Sequence, residues 1–147
     1  MISEKIQIKA PPELIFEAIR QQRSCKEKHR VLQSYDGKIA VVKEEIHGVP
    51  VYGKVECVWQ ETEQEFSRID FKMLSSTKFK ESHGAFICQP AKDGKSTILE
   101  LQAHMDAGLM VPFAAELTKA STSKDSKARL EEIKLAAEQM AKDKQLC

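Results

Sequence analysis

The sequence contains none of the short motifs that mark nucleotide or ester chemistry. Its six glycines form neither a GxGxxG fingerprint nor a phosphate-binding loop, and no GxSxG nucleophile elbow is present. The cysteines at positions 25, 57, 88 and 147 form no CxxC pair, and no histidine cluster stands beside them in the sequence. We therefore expect isolated, reduced thiols, no metal site and no cofactor.

A strong charge and a long apolar run are also missing. The 23 basic and 22 acidic side chains leave a formal net charge of +1, which creates no general attraction for nucleic acid. No apolar run approaches the roughly 20 residues of a membrane-spanning helix, and the opening MISEKIQIKA lacks the pattern of a secretion signal. These absences predict a cytoplasmic protein that does not insert stably into a membrane and does not bind nucleic acid.

The composition that remains is that of a globular protein. Of the 147 residues, 41% are hydrophobic and 31% are charged, which is typical of one folded domain covering residues 1–147. Residues 2–10 alternate between apolar and polar and predict a strand. Pro11 and Pro12 end the strand and open a helix, on which Leu14, Ile15 and Ala18 begin an apolar face. Residues 24–29 are expected to add a further helical turn.

The next 75 or so residues have the pattern of six antiparallel strands. Asp36-Gly37 predicts a tight hairpin, Gly48 with Pro50 predicts the next reversal, and residues 61–65 are expected to form a polar turn. Between residues 79 and 89 the apolar positions change phase, so we expect a β-bulge at Gly84.

After Gly108 and Pro112 the chain is expected to be helical for about thirty residues. One helical face persists throughout the segment, formed by Ala115, Thr122, Ser126, Leu130, Ile133, Ala137 and Met140. A competing stripe of Phe113, Leu117, Ala120 and Ala128 would require a bend near residues 121–126. We favour the continuous face, which predicts an α+β fold in which a curved antiparallel sheet of six or seven strands wraps around the C-terminal helix.

The two ends of the sequence resemble the START-like, or helix-grip, superfamily. The resemblance lies in the opening EKIQIKAPPELIFEAI and in the closing GLMVPF followed by LEEIKLAAE. This superfamily includes polyketide cyclase-like, coenzyme Q-binding and pollen-allergen-related lipid-binding proteins. The resemblance implies a cavity between the sheet and the helix that holds a lipid, a quinone, a polyketide or a similar molecule.

Strand phase indicates which side chains should face such a cavity. The expected ligand-binding residues are the apolar members of three strands and two small residues of the last helix: Val51, Val55, Cys57, Trp59, Ile69, Phe71, Met73, Leu99, Leu101, Ala103, Met105, Thr122 and Ser126. Thr122 and Ser126 occupy little volume, so space for a ligand is expected beneath the first half of the helix.

Three functions are compatible with this pattern. The first is a non-enzymatic carrier or binder of a hydrophobic small molecule, for which an assembled catalytic set is not needed. The second is a cyclase or dehydratase, in which Glu81 and His83 would act as acid and base if they faced inward. The third is a module that docks on a protein partner through its sheet or helix. The sequence favours the first and leaves the other two open.

Overall fold

The computed structural model describes residues 1–49, 51–109 and 113–146. Pro50 and Pro112, near which the sequence predicts changes of direction, and Cys147 lie outside the described residues. The elements follow in the order β1 (Ile2–Ile8), α1 (Pro12–Gln22), a 3-10 turn (Lys26–Lys28), β2 (Arg30–Tyr35), β3 (Ile39–Val49), β4 (Gly53–Gln64), β5 (Arg68–Ser76), β6 (Glu81–Pro90), β7 (Thr97–Asp106) and α2 (Ala114–Leu146). The expected succession of a strand, a helix, six strands and a long helix is confirmed.

The seven strands form one antiparallel sheet in the order β1-β7-β6-β5-β4-β3-β2. The first strand therefore pairs with the last, while the strands between them follow one another through hairpins. The pairing shifts register between Leu32 and Ser34, between Ile46 and Val49, and between Val58 and Trp59. Such irregularities bend strands and increase their twist, which curves the sheet toward the helices.

Three local expectations were wrong. β6 pairs with β7 in continuous register from Glu81 to Pro90, so no bulge occurs at Gly84. The apparent phase change arose because Phe79 precedes the strand. Val51 lies in the turn between β3 and β4 rather than in a strand, and residues 61–64 continue β4 instead of forming a turn.

α2 is one uninterrupted helix of 33 residues. Ser126, Leu130, Ile133 and Ala137 on the favoured face are buried, whereas the competing stripe that begins at Phe113 is exposed. The continuous face is therefore confirmed from Ser126 onward, whereas Ala115 at its N-terminal end is exposed. Over the described residues, neither helix is both long enough and apolar enough to cross a lipid bilayer.

The main core lies where both helices meet the sheet. It joins the apolar face of α1, including Ile15 and Phe16, to Leu130 and Ile133 of α2 and to inward residues of β1, β5, β6 and β7 such as Leu99. Pro12 at the start of α1 supplies a preset φ without losing a helical hydrogen bond, so the helix begins directly after the first strand.

Candidate functional site

α2 covers only part of the concave face, which is the side of the sheet that faces the two helices. The helix packs mainly on β1, β7 and α1, where Leu130, Ile133 and Ala137 belong to the buried core. On β4 and β5, the inward-facing Trp59 and Phe71 remain partly exposed. The inner surface is therefore incompletely filled, and we call the space between these side chains and α2 the groove.

One end of the groove is a pocket of about 510 Å³ beneath the first turns of α2. Small residues of the helix form one wall, and the end of β7 forms another. The lining residues are Met1, Ile2, Ala103, His104, Met105, Asp106, Ala107, Leu109, Ala114, Ala115, Thr118, Lys119 and Thr122. A volume of this order is typical of small-molecule sites in proteins.

A second pocket, of about 560 Å³, lies between α1 and the C-terminal part of α2. Leu14, Phe66 and Met140 contribute apolar surface to it, while charged residues of both helices surround them. This pocket lies outside the groove.

Gly84 allows an aromatic ring to lie beside the first pocket. Phe71 of β5 is its neighbour across the sheet. A Cβ atom added at Gly84 would lie 2.6 Å from Cζ of Phe71 and would overlap the carbonyl oxygen of Gln102. Ring centroids are 6.0 Å apart for Phe71 and Trp59, and 5.6 Å apart for Phe71 and Phe86. We call Trp59, Phe71 and Phe86 the aromatic row.

Two glutamates at the end of β4 face the helices and are paired with arginines of α1 and the residue after it. Nε of Arg23 donates to Oε1 of Glu61 at 2.8 Å, and Nη1 of Arg23 lies 2.7 Å from Oε2 of Glu63. Arg20 donates to Glu63 at 2.7 Å, and the hydroxyl of Tyr35 donates to Glu63 at 2.9 Å. These contacts tie the end of α1 to β2 and β4.

The same contacts form a network that keeps the side chains of Glu63 and Arg23 ionised. Burial acts to raise the pKa of Glu63, but the hydrogen bonds from Arg20, Arg23 and Tyr35 outweigh it and hold the pKa below its ordinary value. Burial acts to lower the pKa of Arg23, and the charges and hydrogen bonds of Glu61 and Glu63 more than offset it. The network therefore holds these charges in paired, ionised form.

Arg129 of α2 has no ion-pair partner among the described residues. Its guanidinium carbon lies 5.9 Å from the centre of the Phe86 ring, and its Nη1 atom is buried without a hydrogen-bond partner in that part of the chain. Nη1 of Arg30 is likewise buried and makes no hydrogen bond, although Nε of Arg30 donates to Glu44 at 2.8 Å. The indole of Trp59 donates to the other oxygen of Glu44 at 3.1 Å.

Burial lowers the pKa of Arg129 to about 10. The nearby charge of Arg30 lowers it further, and the carboxylates of Glu61, Glu44 and Glu132 offset only part of the change. The side chain is still protonated at neutral pH. A buried cation of this kind can donate hydrogen bonds to an anionic or carbonyl oxygen of a bound molecule.

The residues that the sequence predicts for the site fall into three groups. Those that are inward and buried are Val55, Cys57, Ile69, Leu99, Leu101, Ala103 and Ser126. Those that are inward and partly exposed are Trp59, Phe71, Met73, Met105 and Thr122. Of both groups, Ala103, Met105 and Thr122 line the first pocket, whereas Ile69, Leu99 and Leu101 pack within the main core.

Three predicted residues do not reach the groove. Val51 is 71% exposed because it lies in the turn before β4, which corrects its expected inward position. Glu81 and His83 share the face of β6 that pairs with Asp106 and His104 of β7, on the convex side of the sheet. The inward orientation on which their acid and base roles depend is therefore not met.

The described cysteines are free thiols, as expected. Cys57 and Cys88 face the interior, and burial raises the pKa of both, that of Cys88 to about 12. A protonated thiol is a poor nucleophile.

Sequence reasoning missed the charged residues of the groove. Glu61 and Glu63 continue the odd-numbered alternation that places Trp59 inward, but their acidity suggested a turn. Arg129 lies three residues after Ser126 and four before Ile133, which is the spacing of the buried helix face. In both cases the periodicity correctly predicts that the side chain points inward. The charge of the residue wrongly suggested that it points to solvent.

Comparison with known proteins agrees with this architecture. A family model described as polyketide cyclase / dehydrase and lipid transport matches residues 1–138. No curated protein sequence matches the chain.

Solved structures share the fold at low sequence identity. The ZhuI aromatase/cyclase from Streptomyces sp. R1128 has a TM-score of 0.78 and 16% identity, over 95% of this chain and 94% of that one. TTHA0849 from Thermus thermophilus has a TM-score of 0.75 and 17% identity, over 92% and 95%. A START superfamily protein from Mycobacterium smegmatis has a TM-score of 0.65 and 15% identity, over 99% and 98%. At these identities the likeness establishes the START-like fold alone.

Proposed function

Because the chain belongs to the polyketide cyclase / dehydrase and lipid transport family, we propose that it binds and carries a largely hydrophobic small molecule, such as a lipid, a quinone or a polyketide, in the groove. The first pocket supplies about 510 Å³ of space. Phe71 of the aromatic row is paired with Gly84, which is paired in turn with Ala103 of the pocket. Apolar and aromatic surface combined with a small number of polar groups is the usual lining of such sites.

Arg129 is the observation that carries the proposal. Its buried Nη1 atom makes no hydrogen bond to the described residues, and a buried unsatisfied donor costs free energy that a ligand oxygen would recover. Thr122 of the pocket and Arg129 are seven residues apart on one helix face, or about 10 Å along the axis. We therefore expect a ligand about as long as two or three fused rings, with a carbonyl, carboxylate or similar oxygen at one end.

Binding without turnover follows from how the inward acids are held. Glu44 accepts hydrogen bonds from Arg30 and Trp59, and Glu61 from Arg23. Glu63 is held by arginines as well. A general acid or base needs access to a substrate proton at a suitable pKa, and carboxylates engaged in this way are better suited to holding the groove open.

A pair of fluorescent probes tests the proposal. 1-Anilinonaphthalene-8-sulfonate and N-phenyl-1-naphthylamine share one aromatic scaffold, and only the first carries an anionic group. Both emit more strongly in an apolar site. We expect saturable binding of both, with the sulfonate bound more tightly because it can pair with Arg129.

Two phenylalanine variants of α2 form a matched test of the location. Ala115 lines the pocket and Ala120 does not, although both side chains are exposed. Ala115→Phe should weaken both probes by at least about tenfold because the ring fills the pocket. Ala120→Phe should leave both affinities within about twofold of wild type. Equal affinities in the two variants would contradict the proposed site.

Arg129→Met tests the polar end separately. The substitution keeps an unbranched apolar stem and removes the charged guanidinium, so the sulfonate probe should bind about 10- to 100-fold more weakly. The neutral probe should change by less than about threefold. Equal losses for the two probes would mean that Arg129 shapes the groove without contacting the ligand oxygen.

A further inference from the structure

All four histidines of the chain stand in two pairs, and one of them, His104, also borders the first pocket. His83 and His104 are directly opposite on β6 and β7, with ring centroids 5.0 Å apart. His29 and His47 form the other pair, with ring centroids 4.4 Å apart. Each pair has a glutamate beside it, Glu81 for the first and Glu45 for the second.

In the first cluster, one donor atom from each of Glu81, His83 and His104 lies within 4.8 Å of the other two. Oε1 of Glu81 is 3.8 Å from Nε2 of His83. The three residues project from the convex face of two adjacent strands, and β7 is itself flanked by β6 and β1. His83 is paired on both sides, with Lys72 of β5 and His104 of β7, whereas Glu81 and His104 are held by the pairing of β6 with β7 alone.

We propose that Glu81, His83 and His104 form a binding site for a divalent transition-metal ion of the zinc type. Imidazole nitrogen and carboxylate oxygen bind Zn²⁺ at about 2.0 to 2.2 Å, so in a tetrahedral site neighbouring donors are about 3.3 to 3.5 Å apart. The observed donor separations need only a small contraction, which exposed side chains can supply by rotation. Three protein ligands leave the fourth position to water.

The surroundings of the cluster set its expected strength. Asp106 is opposite Glu81 across the strand pair and adds a second carboxylate nearby. Lys72 is opposite His83 on β5, and Nζ of Lys80 lies 4.0 Å from Asp106. The two lysines oppose a cation, so the site should bind more weakly than a buried structural zinc site.

The spacing of the histidines in the sequence gives no sign of this cluster. Ligands on one helix recur at fixed short intervals, whereas here 21 positions separate His83 from His104. Cross-strand pairing brings them together, and the expectation of no metal site considered only spacing along the chain.

Isothermal titration of the untagged, chelator-treated chain with Zn²⁺ tests the proposal. The His83→Ala/His104→Ala variant should bind one equivalent fewer than wild type. Glu81→Gln should weaken that equivalent by about tenfold or more, since a charged ligand is lost. His29→Ala/His47→Ala is the matched control, because it removes the other histidine pair and should retain the equivalent that depends on His83 and His104.

Two readouts separate metal binding from folding. Because His83 and Glu81 are exposed, the variants should unfold within about 0.5 kcal/mol of wild type without metal. In wild type, the imidazole NMR signals of His83 and His104 should shift together as Zn²⁺ is added. Zinc binding that is absent in wild type, or that is unchanged in His83→Ala/His104→Ala, would overturn the proposal.

Discussion

Two arginines reach the interior, Arg23 directly after α1 and Arg129 within α2. Their electrostatic surroundings differ. Arg23 lies between Glu61 and Glu63, which raise its pKa despite burial. Arg129 has no ion-pair partner among the described residues, and burial lowers its pKa to about 10. Folding therefore favours the charge of Arg23 and disfavours that of Arg129.

The two arginines should respond in opposite directions to the same substitution. Arg129→Met should raise the free energy of unfolding at pH 7 by about 1 to 3 kcal/mol, because it removes an uncompensated buried charge. Arg23→Met should lower it by about 3 to 5 kcal/mol, because it leaves the buried carboxylate of Glu61 without its ion-pair partner and removes one of the two arginines that pair with Glu63. Urea denaturation of the unliganded variants measures both. A similar loss of stability in the two variants would show that Arg129 has a partner in solution.

Glu63 predicts a specific loss of stability in acid. Its folded-state pKa lies below the ordinary value of 4.5, so its contribution is complete above that pH and is lost as the pH falls through the folded value. Thermal unfolding from pH 7 to pH 3 should therefore show a smaller decline in Glu63→Gln, which is already destabilised at pH 7.

Glu65→Gln is the control for this experiment. The side chain of Glu65 is 54% exposed and makes a single contact with Arg20. Its substitution should preserve the wild-type acid profile, since exposed pairs contribute little to stability. An identical profile for wild type and Glu63→Gln would contradict the assigned role of Glu63.

For the charged residues of the interior, the sequence pattern predicts which side chains point inward but not which groups they contact. The alternation of β4 and the periodicity of α2 both place charged residues inside, at Glu61, Glu63 and Arg129. Glu61 and Glu63 lie inside because they pair with Arg20 of α1 and with Arg23 directly after it. That partnership depends on how the helix is seated on the sheet, which local pattern does not reveal.

At the scale of elements, the C-terminal half of α2 contributes to the core and the N-terminal half forms the pocket wall. Leu130 is 2% exposed, whereas Leu135, five residues later on the same helix, is 64% exposed. Leu130→Ala should lower the free energy of unfolding by about 2 to 5 kcal/mol because it leaves a cavity in the core. Leu135→Ala should change it by less than about 0.5 kcal/mol. Comparable effects at the two positions in chemical denaturation would contradict the seating of the helix.

Gly84 of β6 provides a second test of packing, through the effect of its substitution on stability. An alanine there would press on Phe71 and on the carbonyl oxygen of Gln102 in β7. Gly84→Ala should destabilise the protein by about 1 to 3 kcal/mol through overpacking and should move the NMR signals of the Phe71 ring. Adding Phe71→Leu should restore part of the loss, because it relieves the contact with the ring. A Gly84→Ala protein with wild-type stability would mean that the two strands lie farther apart.

Element boundaries were less predictable than the elements themselves. The alternation between residues 51 and 60 correctly identified β4, but it extended the strand backward to Val51 and ended it before Glu61. The position of a turn depends on which residues pair across the hairpin. The last pair of β3 and β4 before the turn is Val49 with Gly53. Alternation alone carries no information about that pairing.

At the scale of the whole molecule, the pattern of apolar and polar residues was sufficient to predict the fold. Six hairpin-linked strands with one apolar face each can bury that face only on the long helix, and the observed sheet does so with β1 added beside β7. The extent to which the interior is filled was not predictable, because it depends on where α2 contacts the curved sheet. The result is an interior that is packed near α1 and open near the start of α2.

The opposite faces of the sheet would then have separate tasks. The concave face offers the groove with Arg129, and the convex face offers the cluster of Glu81, His83 and His104. Glu81 and His83 are not part of the pocket lining, so failure of the metal experiment would leave the ligand proposal untouched, and the reverse also holds.

The central claim is that the groove is the ligand site, and NMR contacts to a bound probe test it most directly. With 1-anilinonaphthalene-8-sulfonate bound, we expect nuclear Overhauser effects from its aromatic protons to the methyl group of Met105 and to the indole of Trp59. Contacts confined to Leu14 and Met140, in the pocket between α1 and the end of α2, would contradict the account.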